Sequence, residues 1–165
     1  MAALNAGVLA PDFTLPTVQG GQVSLRQALA KGPVVLVFFK VSCPVCQYAL
    51  PFLERVFQAN RAANVTVLGI SQDKVRDTNE FLREYGGTFP IALDDPANYK
   101  VSNAYGLTNV PTIFYVAPSG EIEVSCAGWS KAEVEAVNQK LAAHRERPPA
   151  PLWRKGEDIQ DFRAG

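Results

Sequence analysis

Residues 34–46 read Val-Val-Leu-Val-Phe-Phe-Lys-Val-Ser-Cys-Pro-Val-Cys, and this stretch decides the fold. It opens with a continuous apolar run rich in β-branched and aromatic residues, which predicts a central strand covered on both faces of a sheet. Helical spacing of apolar side chains from about Cys43 to Arg61 predicts a helix directly after that strand. Cys43 and Cys46 therefore stand at the N-terminus of a helix that follows a central strand.

Strands and helices alternate on both sides of this stretch, which predicts an α/β fold with a central mixed sheet flanked by helices. An N-terminal hairpin around Gly20-Gly21 leads into a short helix, and Gly86-Gly87 suits a left-handed helix C-cap. Ser130-Lys-Ala-Glu133 is a capping box. The predicted elements are strands at 12–15, 23–25, 34–39, 65–70, 90–93, 112–116 and 121–127, and helices at 26–30, 43–61, 74–85, 97–105 and 131–144.

Length and composition favour one compact domain, predicted over residues 1–146, followed by a C-terminal tail at 147–165. We expect Trp153 and Phe162 to dock the tail onto the domain, because large aromatic side chains gain free energy by burial.

Charge and hydropathy exclude several functions. Lys plus Arg number 16 and Asp plus Glu number 16, so the chain lacks the positive charge that nucleic acids require. The longest apolar run is too short to span a bilayer, and residues 1–11 lack the pattern of a secretory signal, which predicts no membrane partner and a cytoplasmic location. No glycine-rich phosphate loop appears, so we expect no bound cofactor.

The spacing of the cysteine pair indicates redox chemistry. Unpaired N–H groups and the positive dipole end of a helix stabilise a thiolate, so the pKa of Cys43 is expected to fall from ~8.5 toward ~3.5 to 7.5. Cys46 lies almost one turn below on the same face, within reach of a disulfide. A zinc site requires about four ligands, and Cys126 with His144 does not make a second pair, so we expect no metal. Cys126 is predicted to be a small buried residue and His144 a surface one.

These motifs resemble the thioredoxin superfamily, specifically its TlpA-like and AhpC/TSA-type redoxin group, over about residues 8 to 145. Pro51 matches the proline that follows the family's CxxC motif inside the helix, and Val110-Pro111-Thr112 matches its cis-proline element. Residues 10–15 resemble the redoxin group's first strand. The resemblance implies a thioredoxin-like fold with a helix inserted between its βαβ and ββα halves.

The resemblance also implies roles for individual residues in a thiol-disulfide oxidoreductase. Cys43 would be the exposed nucleophile, Cys46 the buried resolving thiol, and Pro111 the cis-proline that faces them. The implied partner is a protein that carries a disulfide or a dithiol, with the direction of electron flow and the oligomeric state left open. Residues expected to support the site are Lys40, whose ammonium is a candidate to stabilise the Cys43 sulfur, together with Pro44, Val45, Val110 and Pro51.

Two positions depart from the family pattern. Val37 stands where thioredoxins place a buried acid, and Ala49 stands where many TlpA-like proteins carry Glu. The usual proton acceptor for Cys46 is therefore missing. Water, Lys40 and Asp73 are the candidates, and we assign no general base.

Two other functions are alternatives to a thiol-disulfide oxidoreductase. A peroxiredoxin-like thiol peroxidase needs a Pro and a Thr before its reactive cysteine and an Arg near it, but with Cys46 in that role the positions hold Phe39, Cys43 and Val110. A non-catalytic binding module of the same fold is the second alternative, since fold does not imply function.

Overall fold

The computed structural model of the protein describes residues 3–165. The strands are β1 (Thr14–Pro16), β2 (Gln22–Ser24), β3 (Val34–Phe39), β4 (Thr66–Ser71), β5 (Ile91–Leu93), β6 (Thr112–Val116), β7 (Ile122–Ala127), β8 (Trp129–Ser130) and β9 (Phe162–Arg163). The helices are α1 (Leu25–Leu29), α2 (Pro44–Asn60), α3 (Val75–Tyr85), α4 (Lys100–Ala104) and α5 (Lys131–Arg145).

The central sheet has five strands in the order β5-β4-β3-β6-β7. β3 pairs in parallel with β4 and antiparallel with β6, and all of its residues are buried. This confirms the central strand and the thioredoxin-like fold: β3-α2-β4 is the βαβ half, β6-β7-α5 is the ββα half, and α3 with β5 and α4 is inserted between them. β1 and β2 form the N-terminal hairpin.

Alternate residues of β3 supply two separate cores, because successive side chains of a strand point to opposite faces. Val35, Val37 and Phe39 pack in a cluster with α2, α3 and α5. Val34, Leu36 and Phe38 pack in a second cluster with α1 and α4. Helices thus cover both faces of the sheet, which is why the run at 34–39 needs no polar residue.

Helix ends follow the local signals at some positions and depart from them at another. Gly86 ends α3 with φ of 77°, the left-handed conformation that glycine adopts without steric cost. α4 is shorter than the predicted helix at 97–105, because Tyr99 takes a left-handed conformation with φ of 48°. The Tyr99 N–H donates to the Asp95 carbonyl at 2.8 Å, so a turn replaces the first helical residues.

The C-terminal tail packs against the domain. Leu152 is buried, and the Trp153 ring lies 5.7 Å from that of Phe52 on α2 and 6.2 Å from that of Trp129. The docking predicted for Trp153 is therefore observed. Phe162 does not dock its ring: it stays 62% exposed, because it belongs to β9, which joins the fold by pairing its main chain with β8.

Candidate active site at the start of helix α2

The cysteine pair is placed by the end of β3 and the start of α2. Cys43 is the N-cap of α2, with Pro44 at the first helical position, where the missing N–H of proline costs no hydrogen bond. The Cys43 sulfur accepts the Cys46 N–H at 3.1 Å. A sulfur that accepts a helix N-terminal N–H lies where negative charge is stabilised.

The two cysteines have opposite environments. Cys43 is half-buried, whereas Cys46 is 2% exposed and packs in the core beside Val45. Burial, reinforced by a hydrogen bond with the Cys43 thiol, raises the pKa of Cys46 far above its ordinary value. Cys46 is therefore held as a neutral thiol beside the more accessible sulfur of Cys43.

Val110 and Pro111 reach the cysteine pair through the sheet register. Phe38 pairs with Thr112, so the residues just before β6 lie beside the end of β3. The Val110–Pro111 peptide bond is cis, as the resemblance implies. The Cys43 thiol donates to the Val110 carbonyl at 3.4 Å, which brings the two motifs together across 67 residues of sequence.

The loop between β3 and α2 is held by contacts that the sequence did not indicate. The Val41 N–H donates to Asp73 Oδ2 at 2.8 Å, and Gln47 Nε2 donates to the Val41 carbonyl at 3.0 Å. Asp73 follows β4 and reaches this loop because β4 lies beside β3. The sequence predicts Asp73 only as a candidate proton acceptor for Cys46, whereas the structure shows that it holds the loop that carries Cys43.

Other predicted site residues lie apart from the sulfurs or take different partners. The Lys40 ammonium lies 3.5 Å from the Tyr99 hydroxyl, and no hydrogen bond among residues 3–165 joins that ammonium to Cys43. The Lys40 main-chain carbonyl accepts the Cys43 N–H at 3.2 Å. Pro51 is exposed on α2, which continues through it to Asn60.

The remaining cysteine and the histidine take up the surroundings expected for them. Cys126 is buried, and burial raises its pKa to about 11. Its thiol lies 3.6 Å from the Gly128 carbonyl. His144 is exposed near the end of α5. Within the described range, no three His, Cys, Asp or Glu side chains are grouped closely enough to hold a metal ion.

The tail supplies contacts beside the site that spacing rules did not reveal. Tyr48, two residues after Cys46, accepts the Gln160 N–H through its hydroxyl at 3.1 Å. Gly128 has φ of 80°, and a Cβ atom there would lie only 2.5 Å from the Arg163 carbonyl oxygen. The segment that requires a glycine at this position lies 35 residues further along the chain.

A half-exposed cysteine at a helix start, a buried cysteine one turn on and a cis-proline beside them, on this sheet, define a thioredoxin-like thiol-disulfide oxidoreductase. The chain belongs to the AhpC/TSA family, whose profile matches residues 6–125. In residues 3–165, no helix has the length and apolar character needed to cross a membrane.

Named relatives and solved structures point to the same class. The chain is 31% identical over 133 residues to a thiol-disulfide oxidoreductase ResA of Halalkalibacterium halodurans, across 79% of this chain and 74% of that protein. A Chlorobium tepidum structure described as a thiol:disulfide interchange protein DsbE superposes with a TM-score of 0.75 at 28% identity, covering 86% of this chain and 99% of its own. A secreted Mycobacterium tuberculosis disulfide oxidoreductase gives a TM-score of 0.65 at 25% identity, covering 79% and 95%.

Proposed function

We propose that this protein reduces or exchanges disulfides in protein partners, with Cys43 as the attacking sulfur and Cys46 as the resolving one. The observation that carries the assignment is the asymmetry of the pair. The Cys43 sulfur is the accessible one and accepts a helix N-terminal N–H at 3.1 Å, while Cys46 is buried with a raised pKa. Attack from outside therefore begins at Cys43.

The reaction has two exchange steps. The Cys43 thiolate attacks one sulfur of the partner disulfide, so that the partner S–S bond breaks, a mixed disulfide forms and one partner thiolate leaves. Cys46 then gives up its proton and attacks the Cys43 sulfur, which releases the second partner sulfur. The partner gains two electrons and two protons as a dithiol, and Cys43 and Cys46 become a disulfide. The reverse sequence oxidises a partner dithiol.

The surroundings of the pair favour resolution over release of the mixed disulfide. Cys46 lies one turn from Cys43 and its main-chain N–H donates to the Cys43 sulfur at 3.1 Å, so its attack is intramolecular and needs no diffusion. Its raised pKa keeps it protonated until the first step has occurred, which prevents two adjacent thiolates. The anchored loop at Val41 holds Cys43 in position for both steps.

Single substitutions test the two roles, with Cys126→Ser as the matched control. We expect Cys43→Ser to abolish reduction of insulin disulfides with dithiothreitol as terminal reductant. We expect Cys46→Ser to accumulate a mixed disulfide between Cys43 and the partner, detected by mass spectrometry. Cys126→Ser should retain the wild-type rate within about two-fold, since that thiol lies outside the reacting pair. Equal residual rates for Cys43→Ser and Cys46→Ser would contradict the assignment.

The cytoplasmic location stays a prediction. Fractionation of cells that express the protein from its complete gene would test it, and recovery outside the cytoplasmic fraction would show it to be wrong.

A further inference from the structure

The last residues of the tail run as an extended strand next to the cysteine pair. β9 pairs antiparallel with β8, with Trp129 opposite Arg163 and Ser130 opposite Phe162. The Lys131 N–H donates to the Asp161 carbonyl at 2.9 Å, which continues the pairing by one residue. Residues 161–165 are therefore bound through their main chain, in the manner of a peptide added to a strand.

This strand ends at the carbonyl that contacts Cys43. A Cβ atom on Gly165 would overlap the Val110 carbonyl oxygen, so the Gly165 main chain lies directly against it. The same oxygen accepts the Cys43 thiol at 3.4 Å. The tail and the Cys43 sulfur thus meet at one atom of the chain.

We call the surface formed by Val110, Gly128 and Trp129–Ser130 the docking strip. Gly128 allows an extended main chain to approach closely, since a Cβ atom there would lie 2.5 Å from the Arg163 carbonyl oxygen and 3.0 Å from the Gly165 nitrogen. The strip binds backbone and does not select large side chains, because the Phe162 ring points to solvent.

The tail is held by two sets of contacts of different character. Residues 152–160 are anchored through buried Leu152 and through polar contacts, in which the Trp129 indole N–H donates to the Gln160 carbonyl at 2.7 Å. Arg55 also pairs with both carboxylate oxygens of Glu157 at 2.7 and 2.6 Å. Residues 161–165 add main-chain contacts and a cation–π contact of Arg163 with Tyr48, all at the surface. Residues 161–165 are therefore held more weakly than residues 152–160, and the anchor keeps them over the docking strip.

We propose that residues 161–165 occupy at rest the strip beside the cis-proline where an extended segment of the protein partner would pair, and that the partner must displace them. The proposal rests on the proposed function, because the partner segment has to place its disulfide at Cys43. A small disulfide needs only the Cys43 sulfur and no strand pairing. Because the partner must first displace the tail, the docked tail slows exchange with protein disulfides and leaves exchange with small disulfides unchanged.

Two variants of the 165-residue chain that weaken the anchor of the tail test this proposal. Glu157→Ala removes the ion pair with Arg55, and Trp153→Ala removes the ring packed on Phe52 and Trp129. Glu80→Ala is the matched control, because Glu80 forms an exposed ion pair with Arg76 far from the tail in sequence and contacts. Hydrogen exchange of the Lys131 main-chain N–H, which donates to the Asp161 carbonyl, reports by NMR whether residues 161–165 have been loosened.

In Glu157→Ala we expect faster exchange of the Lys131 N–H and a rate of insulin reduction raised about two- to five-fold, as the loss of one partly exposed ion pair allows. The rate with bis(2-hydroxyethyl) disulfide should stay within about two-fold of wild type, and Glu80→Ala should change neither rate. A loosened tail with an unchanged insulin rate would overturn the proposal. So would unchanged protection of the Lys131 N–H in the mixed disulfide that Cys46→Ser forms with the partner, since a bound partner has to displace residues 161–165. Absence of small-disulfide exchange in the wild-type protein would instead refute the proposed function, and this proposal with it.

Discussion

Asp73 is expected to stabilise the loop that carries Cys43, and its replacement by alanine tests this. The substitution removes the acceptor of the Val41 N–H, a 2.8 Å hydrogen bond to a carboxylate in a half-buried position. Hydrogen bonds to charged groups contribute ~1.5 to 3 kcal/mol, and partial exposure places this one at the lower end, at about 1.5 kcal/mol.

Urea unfolding measures this loss. With a denaturant dependence of about 2 kcal/mol per M, the midpoint should fall by roughly 0.7 M. The rate at which iodoacetamide alkylates Cys43 at pH 7 should also fall. A loosened loop holds the Cys43 sulfur less firmly at the Cys46 N–H, which stabilises the reactive thiolate. Asp73→Asn keeps an oxygen acceptor and should recover part of both losses.

Asp77→Ala is the matched control, since Asp77 is an exposed carboxylate in the first turn of α3. It should leave Cys43 alkylation unchanged and cost less stability than Asp73→Ala. The reasoning is refuted if Asp73→Ala unfolds at the wild-type midpoint, or if the control variant slows alkylation to the same degree.

Three further outcomes follow from the structure. Burial raises the pKa of Cys126 to about 11 from an ordinary 9.0. Near neutral pH its thiolate fraction, and therefore its alkylation rate in the folded protein, should be about 100-fold below that of an ordinary thiol. Equal labelling of Cys126 in folded and urea-unfolded protein would contradict this. Arg55 lowers the pKa of Glu157 to about 2 from 4.5, so the ion pair stabilises tail docking above pH 4.5 and is lost as the pH falls toward 2. Protection of the Trp129 indole N–H from hydrogen exchange should decrease over that pH range. An equal decrease in Glu157→Gln would show that the ion pair is not its cause. Purified protein with dithiothreitol should not turn over hydrogen peroxide, because Val110 stands where a peroxidase needs Arg; Cys43-dependent peroxide consumption would instead favour the peroxidase alternative.

Local patterns predicted most of the sheet and the placement of the cysteine pair. The apolar run at 34–39 can be accommodated only where helices cover both faces of a strand, and the structure places β3 there. The cap at Gly86 and the capping serine at Ser130 were predictable for the same reason, since each depends on a few consecutive residues. The cis state of Pro111 was inferred from resemblance, not from local physics.

The surroundings of the sulfurs depended on contacts between distant segments. Asp73 reaches Val41 only because β4 lies beside β3. The Lys40 ammonium lies next to the hydroxyl of Tyr99, which caps a helix far along the chain. No periodicity encodes these pairings.

The sequence by itself determined that a buried strand delivers two cysteines to the start of a helix, because hydrophobic periodicity and capping act over a few neighbouring residues. Only the tertiary structure decided what meets those cysteines. The antiparallel register of β3 and β6 brings the Val110 carbonyl to Cys43, and main-chain pairing brings residues 161–165 over Gly128 to the same carbonyl. Such pairings use backbone groups that every residue carries, so the side-chain pattern of the sequence does not predict them.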